Sequence, residues 1–293
     1  MVYNYATKNT KQFDQKMTQE TLTSLIETPE VDWTGARSFI VTTLSTTGYK
    51  PHTRDKGYNS GAVANDKETY TLDFDRDIEF FVDKADVDET NEDLAAANVT
   101  GVFIAENAGP EVDAYRFSKM ATSAIANSHS STTVIAAGNV YSELKSALLP
   151  IRKYGVTNII IYVSSATMDA LERSTEFTRQ ITNQNVGLTA LESRVTSLDG
   201  VLLVEVWDTD RFATKFNFTN GFAKATDGYD INFLIVAKPA VVAKTKFNSI
   251  YLFPPGSHTE GDGYLYQNRL YHDLFVMKNK GDGLFVNYVV PAP

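Results

Sequence analysis

The chain has 293 residues, is 43% hydrophobic and 22% charged, and carries a formal charge of −9 with no cysteine. That composition supports an ordinary core and excludes disulfides, thiol catalysis, zinc knuckles and iron–sulfur ligation. The acidic balance argues against a large phosphate-gripping face for nucleic acid.

The length suits one large domain or two modest ones that share an interface. No apolar run approaches a membrane span. The opening stretch MVYNYATKNTKQFDQ has no apolar export core, so a soluble cytosolic chain is expected.

Residues 1–37 are polar and rich in Thr and Gln, with Phe13, Met17, Leu22, Leu25 and Ile26 at roughly helical spacing. So thin a stripe buries little by itself, and the spacing predicts an arm that orders on a partner. Pro29 and Gly35 close it.

Ser38 to Tyr49 is β-prone, and Thr69 to Asp83 alternates polar and apolar residues. Between them lies KPHTRDKGYNSGAVANDKE, polar and broken by Gly57 and Gly61. The pattern predicts a long two-stranded loop. Such a ribbon is marginal alone in water, and a neighbouring subunit is the natural cover.

Thr90-Asn91-Glu92-Asp93 has the form of a helix start, with a cap and early acids. The helix is expected to run to about Asn127, kinked at Gly109-Pro110. A second helix is expected over 139–154, a buried strand over 158–163, a helix from Ser165 capped by Ser164 or Ser165, and a strand over 200–206. Helix–strand–helix–strand reads as α/β. The stretch 175–197 between them is polar and rich in Asn and Thr. Short strands follow over 232–237, 248–253, 264–276 and 284–288.

The last two of these read as a hairpin, with Lys278 to Gly283 as its turn. His272 and Asp273 sit side by side in the first of them. Neighbours on a strand point to opposite faces, so the two do not form a catalytic pair. A half-buried strand with polar residues at an edge or interface is expected instead.

Other motifs carry little chemistry. There is no glycine-rich phosphate loop and no dinucleotide fingerprint. The serines of Tyr162-Val163-Ser164-Ser165-Ala166 lack the glycines of a nucleophile elbow. His52, His129, His258 and His272 show no ligand spacing. Asp73, Asp75 and Asp77 alternate on one strand face without the glycine and closing Glu of a calcium loop. They read as an acidic face, solvated or paired with Lys and Arg of a neighbour. Trp33 and Trp207 read as core or interface rather than as a sugar or base platform. No catalytic, cofactor-binding or metal residue is assigned.

Four segments carry a family resemblance. They are Pro110 to Lys119 (PEVDAYRFSK), Asp199 to Val206 (DGVLLVEV), Asp230 to Val236 (DINFLIV), and Tyr271 to Val276 (YHDLFV) with Asn279-Lys280 and Gly283 beyond it. Their order, over about residues 38–290, resembles the major capsid proteins of tailed phages of Gram-positive hosts, which have the Hong Kong 97-like fold. The resemblance implies an α+β chain with an N-terminal arm over 1–37 and an E-loop with adjoining P-domain strands over 38–85. A P-domain spine helix over 86–131, an α/β A-domain over 132–228, and closing strands with a C-terminal hairpin over 229–293 complete it.

The implied function is a structural shell subunit, not an enzyme, forming hexamers and pentamers around double-stranded DNA. The implied place is the virion, assembled in the bacterial host cytoplasm. Implied partners are further copies of the chain, a separate scaffolding protein, a portal and decoration proteins, with no sequence-specific DNA binding, no membrane and no cofactor. An arm over 1–37 is too short for a large fused scaffold.

Lys56, Gly57, Tyr58, Gly61 and Arg116 are the candidate assembly residues. Some relatives cross-link a loop Lys to a neighbour's Asn. Here Lys50, Lys56 and Lys67 lie in or beside the loop, but no Asn acceptor stands out. The alternatives are an encapsulin-type nanocompartment shell and, more remotely, a hydrolase with an aromatic cleft.

Overall fold

The computed structural model describes residues 19–29, 33, 37–52, 54, 57–89, 96–174 and 197–290. The chain enters through a short 3-10 turn, Leu22–Ile26, seated on its own chain rather than projecting from it. β1 (Ser38–Thr46) then pairs antiparallel with β2 (Val63–Thr71), from Ser38↔Thr71 out to Thr46↔Val63.

The return strand differs from the sequence expectation. β2 starts inside the stretch read as loop, and the chain changes partner before β3 (Asp75–Asp83). Leu72 is the pivot. It is fully buried, its N–H donates to Arg37 O at 2.9 Å, and its carbonyl accepts the Tyr271 hydroxyl at 2.7 Å. The alternation runs on unbroken through this point, which is why it reads as one strand.

After α1 (Lys84–Glu89), α2 (Ala96–Phe103) leads through a π-helical stretch, Ile104–Ala108, into α3 (Gly109–Ala126). The Thr90 cap lies outside the described residues. At about 1.5 Å per residue the run from α2 to the end of α3 spans roughly 45 Å. The kink expected at Gly109-Pro110 takes the form of a wide turn: Gly109 N–H donates to Ile104 O, five residues back. A π turn of this kind absorbs the donor that Pro110 lacks.

β4 (Ser130–Ser131) and α4 (Val140–Leu148) follow. α4 is shorter than expected, because Pro150 stops it and a 3-10 turn, Ile151–Tyr154, carries the chain to Gly155 at φ +88°. β5 (Ile159–Ser164) enters α5 (Ser165–Arg173), with the Ser164 hydroxyl accepting from Thr167 N at 3.3 Å as N-cap. The polar stretch over 175–196 lies outside the described residues.

β6 (Ser197–Leu198), β7 (Val201–Val206), the small hairpin β8 (Phe216–Asn217) and β9 (Ala223–Lys224), and β10 (Ile231–Ala237) come next. The chain closes through β11 (Val241–Phe253), β12 (Gly263–Val276) and β13 (Leu284–Tyr288).

Among the described residues, six strands form one mixed sheet in the order β4-β13-β10-β5-β7-β6, and three form an antiparallel sheet, β11-β12-β3. β5 is buried along its whole length, as a β-branched strand covered on both faces must be. On one face Leu144, Leu148, Met168 and Leu171 pack against Ile159, Ile161, Val163 and Phe233. On the other, Phe117, Met120, Ala121 and Ala124 of α3 pack against Ile160, Tyr162, Leu234 and Val236. That spacing is one helical stripe, and each fully buried large apolar side chain contributes about 1.5–3 kcal/mol. β10 and β13 share this sheet with β5 and β7, so residue 228 marks no break in it.

The expected C-terminal hairpin does not form. β12 pairs with β11 and β3, whereas β13 pairs with β10 and β4. The turn Lys278–Gly283 carries the chain from one sheet to the other. A Cβ on Gly283 would lie 2.5 Å from Ala240 Cβ, so the crossing needs glycine there.

Candidate assembly surfaces

The residues read as functional fall into a buried joint and an exposed hairpin. The joint centres on α3. Asp113 accepts four hydrogen bonds: from Leu22 N (2.9 Å), Thr23 N (3.0 Å), the Thr23 hydroxyl (2.6 Å) and Arg211 Nη1 (3.1 Å). Arg211 also holds Asp208 Oδ2 at 2.6 and 3.1 Å. A buried ion pair with its remaining lone pairs satisfied is the tolerable kind.

Arg116, one turn on and a candidate assembly residue by sequence, is 1% exposed in the single chain. Its guanidinium donates to Thr23 O, Thr23 Oγ1 and Thr245 Oγ1 and lies 3.8 Å from Glu27. It therefore fastens the N-terminal segment to its own chain. Gln19 adds to that seat, bonding Glu205 O and Trp207 N, and Thr28 N donates to Ala243 O at 2.8 Å.

His272 and Asp273 do not bond each other, as their strand positions require. They are, however, fully buried rather than half-buried at an edge. Asp273 accepts the Tyr115 hydroxyl (2.7 Å), Asp73 N (3.0 Å) and Leu274 N (2.7 Å). Burial, with Asp273 and Asp73 nearby, holds the Tyr115 hydroxyl protonated far above the ordinary tyrosine range. The imidazole packs against Phe74 and Tyr115, and burial, followed by the charge of Arg116, pushes its pKa down to about 3.

The β1–β2 hairpin leaves the body after a short base. Phe39 is buried there with Leu72, Val242 and Tyr271, and Tyr70 and Phe275 pack around it. Beyond it the apolar side chains face solvent: Leu44 is 68% exposed, Val63 74% and Tyr58 100%. The tip is ordered by its own polar groups. Lys50 Nζ donates to Ser60 O, Asn59 Nδ2 to Pro51 O, and Ala62 N to Thr47 Oγ1. Gly57 has φ +68°, a left-handed turn that favours glycine. A Cβ on Gly61 would lie 2.9 Å from Thr47 Oγ1. Lys56 lies outside the described residues. So Gly57, Tyr58 and Gly61 share the hairpin tip, and Arg116 belongs elsewhere.

A second unmatched apolar strip lies on β11, where Phe247, Ile250, Tyr251 and Leu252 are exposed on an edge strand. At the other edge, β3 presents Asp75, Asp77 and Glu79. Asp75 is ion-paired with Arg269, which holds its carboxyl below the usual range, and Glu79 accepts from Gln267. A cleft of about 780 Å³ lies beside α5. Ser164 caps its helix there, and Lys224 pairs with Asp230 at 2.8 Å. Among the described residues, no group of three or more His, Asp or Glu side chains is placed to hold a metal ion, and no helix is long and apolar enough to cross a membrane.

The sequence reading missed Thr23, Asp113, Tyr115 and Arg211. One signal was present: Asp113 lies in helical register with Phe117, Met120 and Ala124, on the stripe that packs inward.

No protein-family model matches the chain, and no curated protein matches it. Solved structures do. A chain of the asymmetric unit of the bacteriophage PhiM1 mature capsid is 14% identical, with a TM-score of 0.69 over 99% of this chain and 93% of that one. A chain of the capsid structure of cyanophage P-SCSP1u is 13% identical, with a TM-score of 0.64 over 98% and 94%. A chain from Mycobacterium phage Che8 is 13% identical, with a TM-score of 0.61 over 98% of both. The chain therefore has the α+β, Hong Kong 97-like fold found in phage capsid structures.

Proposed function

We propose that this chain is the major capsid protein of a tailed phage, a structural subunit that assembles into the hexamers and pentamers of an icosahedral shell around double-stranded DNA. The observation that carries this reading is the projecting hairpin β1–β2, in a chain whose fold matches phage capsid structures. Leu44, Tyr58 and Val63 lie on it without cover. A two-stranded ribbon is marginal by itself, so a neighbouring copy supplies the cover. The exposed strip on β11 asks for the same. Many modest contacts add up once such a shell closes, and closed symmetry leaves no apolar patch open.

On this reading α2 and α3 with the sheet β11-β12-β3 form the wall, and the six-stranded sheet with α4 and α5 meets its symmetry mates. The role is structural and non-enzymatic. A separate scaffolding protein guides closure, a portal and decoration proteins join the shell, and DNA is contained without sequence-specific contact. The acidic face of β3 suits a lumen that repels DNA rather than pinning it. The subunit belongs to the virion and is assembled in the bacterial cytoplasm.

Size exclusion of the purified chain, alone and with a candidate scaffold, tests this. Assembly only with scaffold supports the reading. Closed, uniform shells from the chain alone contradict the separate scaffold, and co-purifying enzyme cargo points instead to a nanocompartment.

A further inference from the structure

His272 lies on β12 opposite Thr245 of β11, beside a register shift in their pairing. The ring is fully buried, and neither nitrogen has a hydrogen-bond partner among the described residues. Buried polar groups are nearly always bonded, so this imidazole is exceptional. The Arg116 Nε–H is equally buried and has no partner among the described residues. The backbone of His272 is held, its N–H donating to Phe74 O at 3.1 Å. Phe74 and Tyr115 stand edge-on to the ring at 5.1 and 5.3 Å.

Asp73, next to Phe74, lies near Tyr115; Arg76, over the Phe74 ring, is bonded to Glu111, and the remaining charged groups are committed elsewhere. From α3, Asp113 serves Leu22, Thr23 and Arg211, Arg116 serves Thr23 and Thr245, and Lys119 lies over the Tyr115 ring. From the N-terminal segment, Glu27 accepts from Thr245 N and lies beside Arg116. From β11, Lys244 holds the carbonyls of Thr28 and Pro29, and Lys246 lies over Trp33. On β12 itself, Asp273 is taken by Tyr115, Asp73 N and Leu274 N, and Arg269 by Asp75. No carboxylate among them bonds to the imidazole.

We propose that His272 is an acid-operated lock on the joint between β12, α3 and the N-terminal segment 19–28: neutral it keeps the joint closed, and a proton taken from solvent opens it and frees the segment. A second cation beside Arg116, on a buried ring that no carboxylate bonds, is strongly disfavoured. The closed joint therefore keeps the ring neutral, with its pKa near 3, while the opened joint returns it to an ordinary value of about 6.5. The folded value is the depressed one, so this contribution is complete above about pH 6.5 and is lost as pH falls towards 3. Between about pH 6.5 and 5 ordinary carboxylates stay ionised, so that window reads the imidazole. The lock is a property of the single chain and does not rest on the capsid reading.

Hydrogen exchange of the full-length chain tests it, reading protection of segment 19–28 after correction for intrinsic chemistry. In the wild type the opening equilibrium rises by up to about tenfold per pH unit below about pH 6. Glu27→Gln keeps that slope. His272→Phe, which places a ring between Phe74 and Tyr115, abolishes it. A flat wild-type profile, or a slope that survives in His272→Phe, overturns the proposal. Should His272→Phe fail to fold, nitrogen-15 imidazole spectra of the wild type decide. A ring still neutral in the closed chain at about pH 5 supports the lock, and one that titrates near its free value of about 6.5 with protection unchanged overturns it.

Discussion

Asp113 on the long helix and Arg211, 98 positions further along the chain, meet at 3.1 Å with neither side chain exposed to solvent. The carboxylate also takes both backbone N–H groups of Leu22 and Thr23. One side chain thus ties the N-terminal segment, α3 and the loop after β7 together. Removing it leaves Arg211 with Asp208 and the Glu20 carbonyl. Asp113→Ala is expected to cost about 3–5 kcal/mol, read as a lowered urea midpoint, with early loss of protection over residues 19–28.

Arg116 and Tyr58 separate folding from assembly. Arg116 is fastened inside the chain, so Arg116→Gln lowers the unfolding midpoint of the single chain. Tyr58 is wholly exposed, so Tyr58→Ser leaves that midpoint within about 0.5 kcal/mol. Leu44→Asp and Val63→Asp are expected to do the same while blocking higher-order assembly, followed by sedimentation.

Five buried or half-buried tyrosines set the alkaline limit, Tyr271 among them, raised first by burial. Tyr70 and Tyr154 are pushed up to about 12, by burial first and then by Glu68 and Asp282. Tyr115 and Tyr162 are raised further, mainly by burial. These folded values lie above the unfolded one of about 10, so the contribution is complete below about pH 10 and is lost as pH rises through 12. Stability measured across that window is expected to fall, and Tyr115→Phe to flatten the fall. At neutral pH the same variant costs about 1–3 kcal/mol, because buried Asp273 loses a donor.

Gly263 is expected to tolerate no side chain. A Cβ there would lie 2.4 Å from Val82 O and 2.7 Å from the Phe81 ring. The first of these is backbone, in the paired strand β3. Gly263→Ala should cost about 1–3 kcal/mol by overpacking, read in a thermal melt. Gly57→Ala, with open space around it but φ +68°, is expected to cost about 1 kcal/mol through backbone strain alone.

Local pattern made the single elements legible. The runs around Ile160, Leu203 and Leu234 are β-branched and apolar enough to be central strands, and Ser164 was visible as a cap. Pairing was not legible. An alternating strand shows its period but not its neighbour, so β12 and β13 looked like one hairpin while belonging to two sheets. Leu72 hides the break between β2 and β3 because it fits the alternation on both sides. The joint was harder still. Asp113 and Thr23 are 90 positions apart, and a charged residue reads as solvent-facing until its buried partner is known.

Electron microscopy of the purified full-length chain, with candidate scaffold and under crowding, tests the central claim most directly. The account predicts rings, sheets or closed shells built from hexamers and pentamers, lost in Leu44→Asp with the monomer still folded. A chain that stays monomeric under all of these conditions would contradict it.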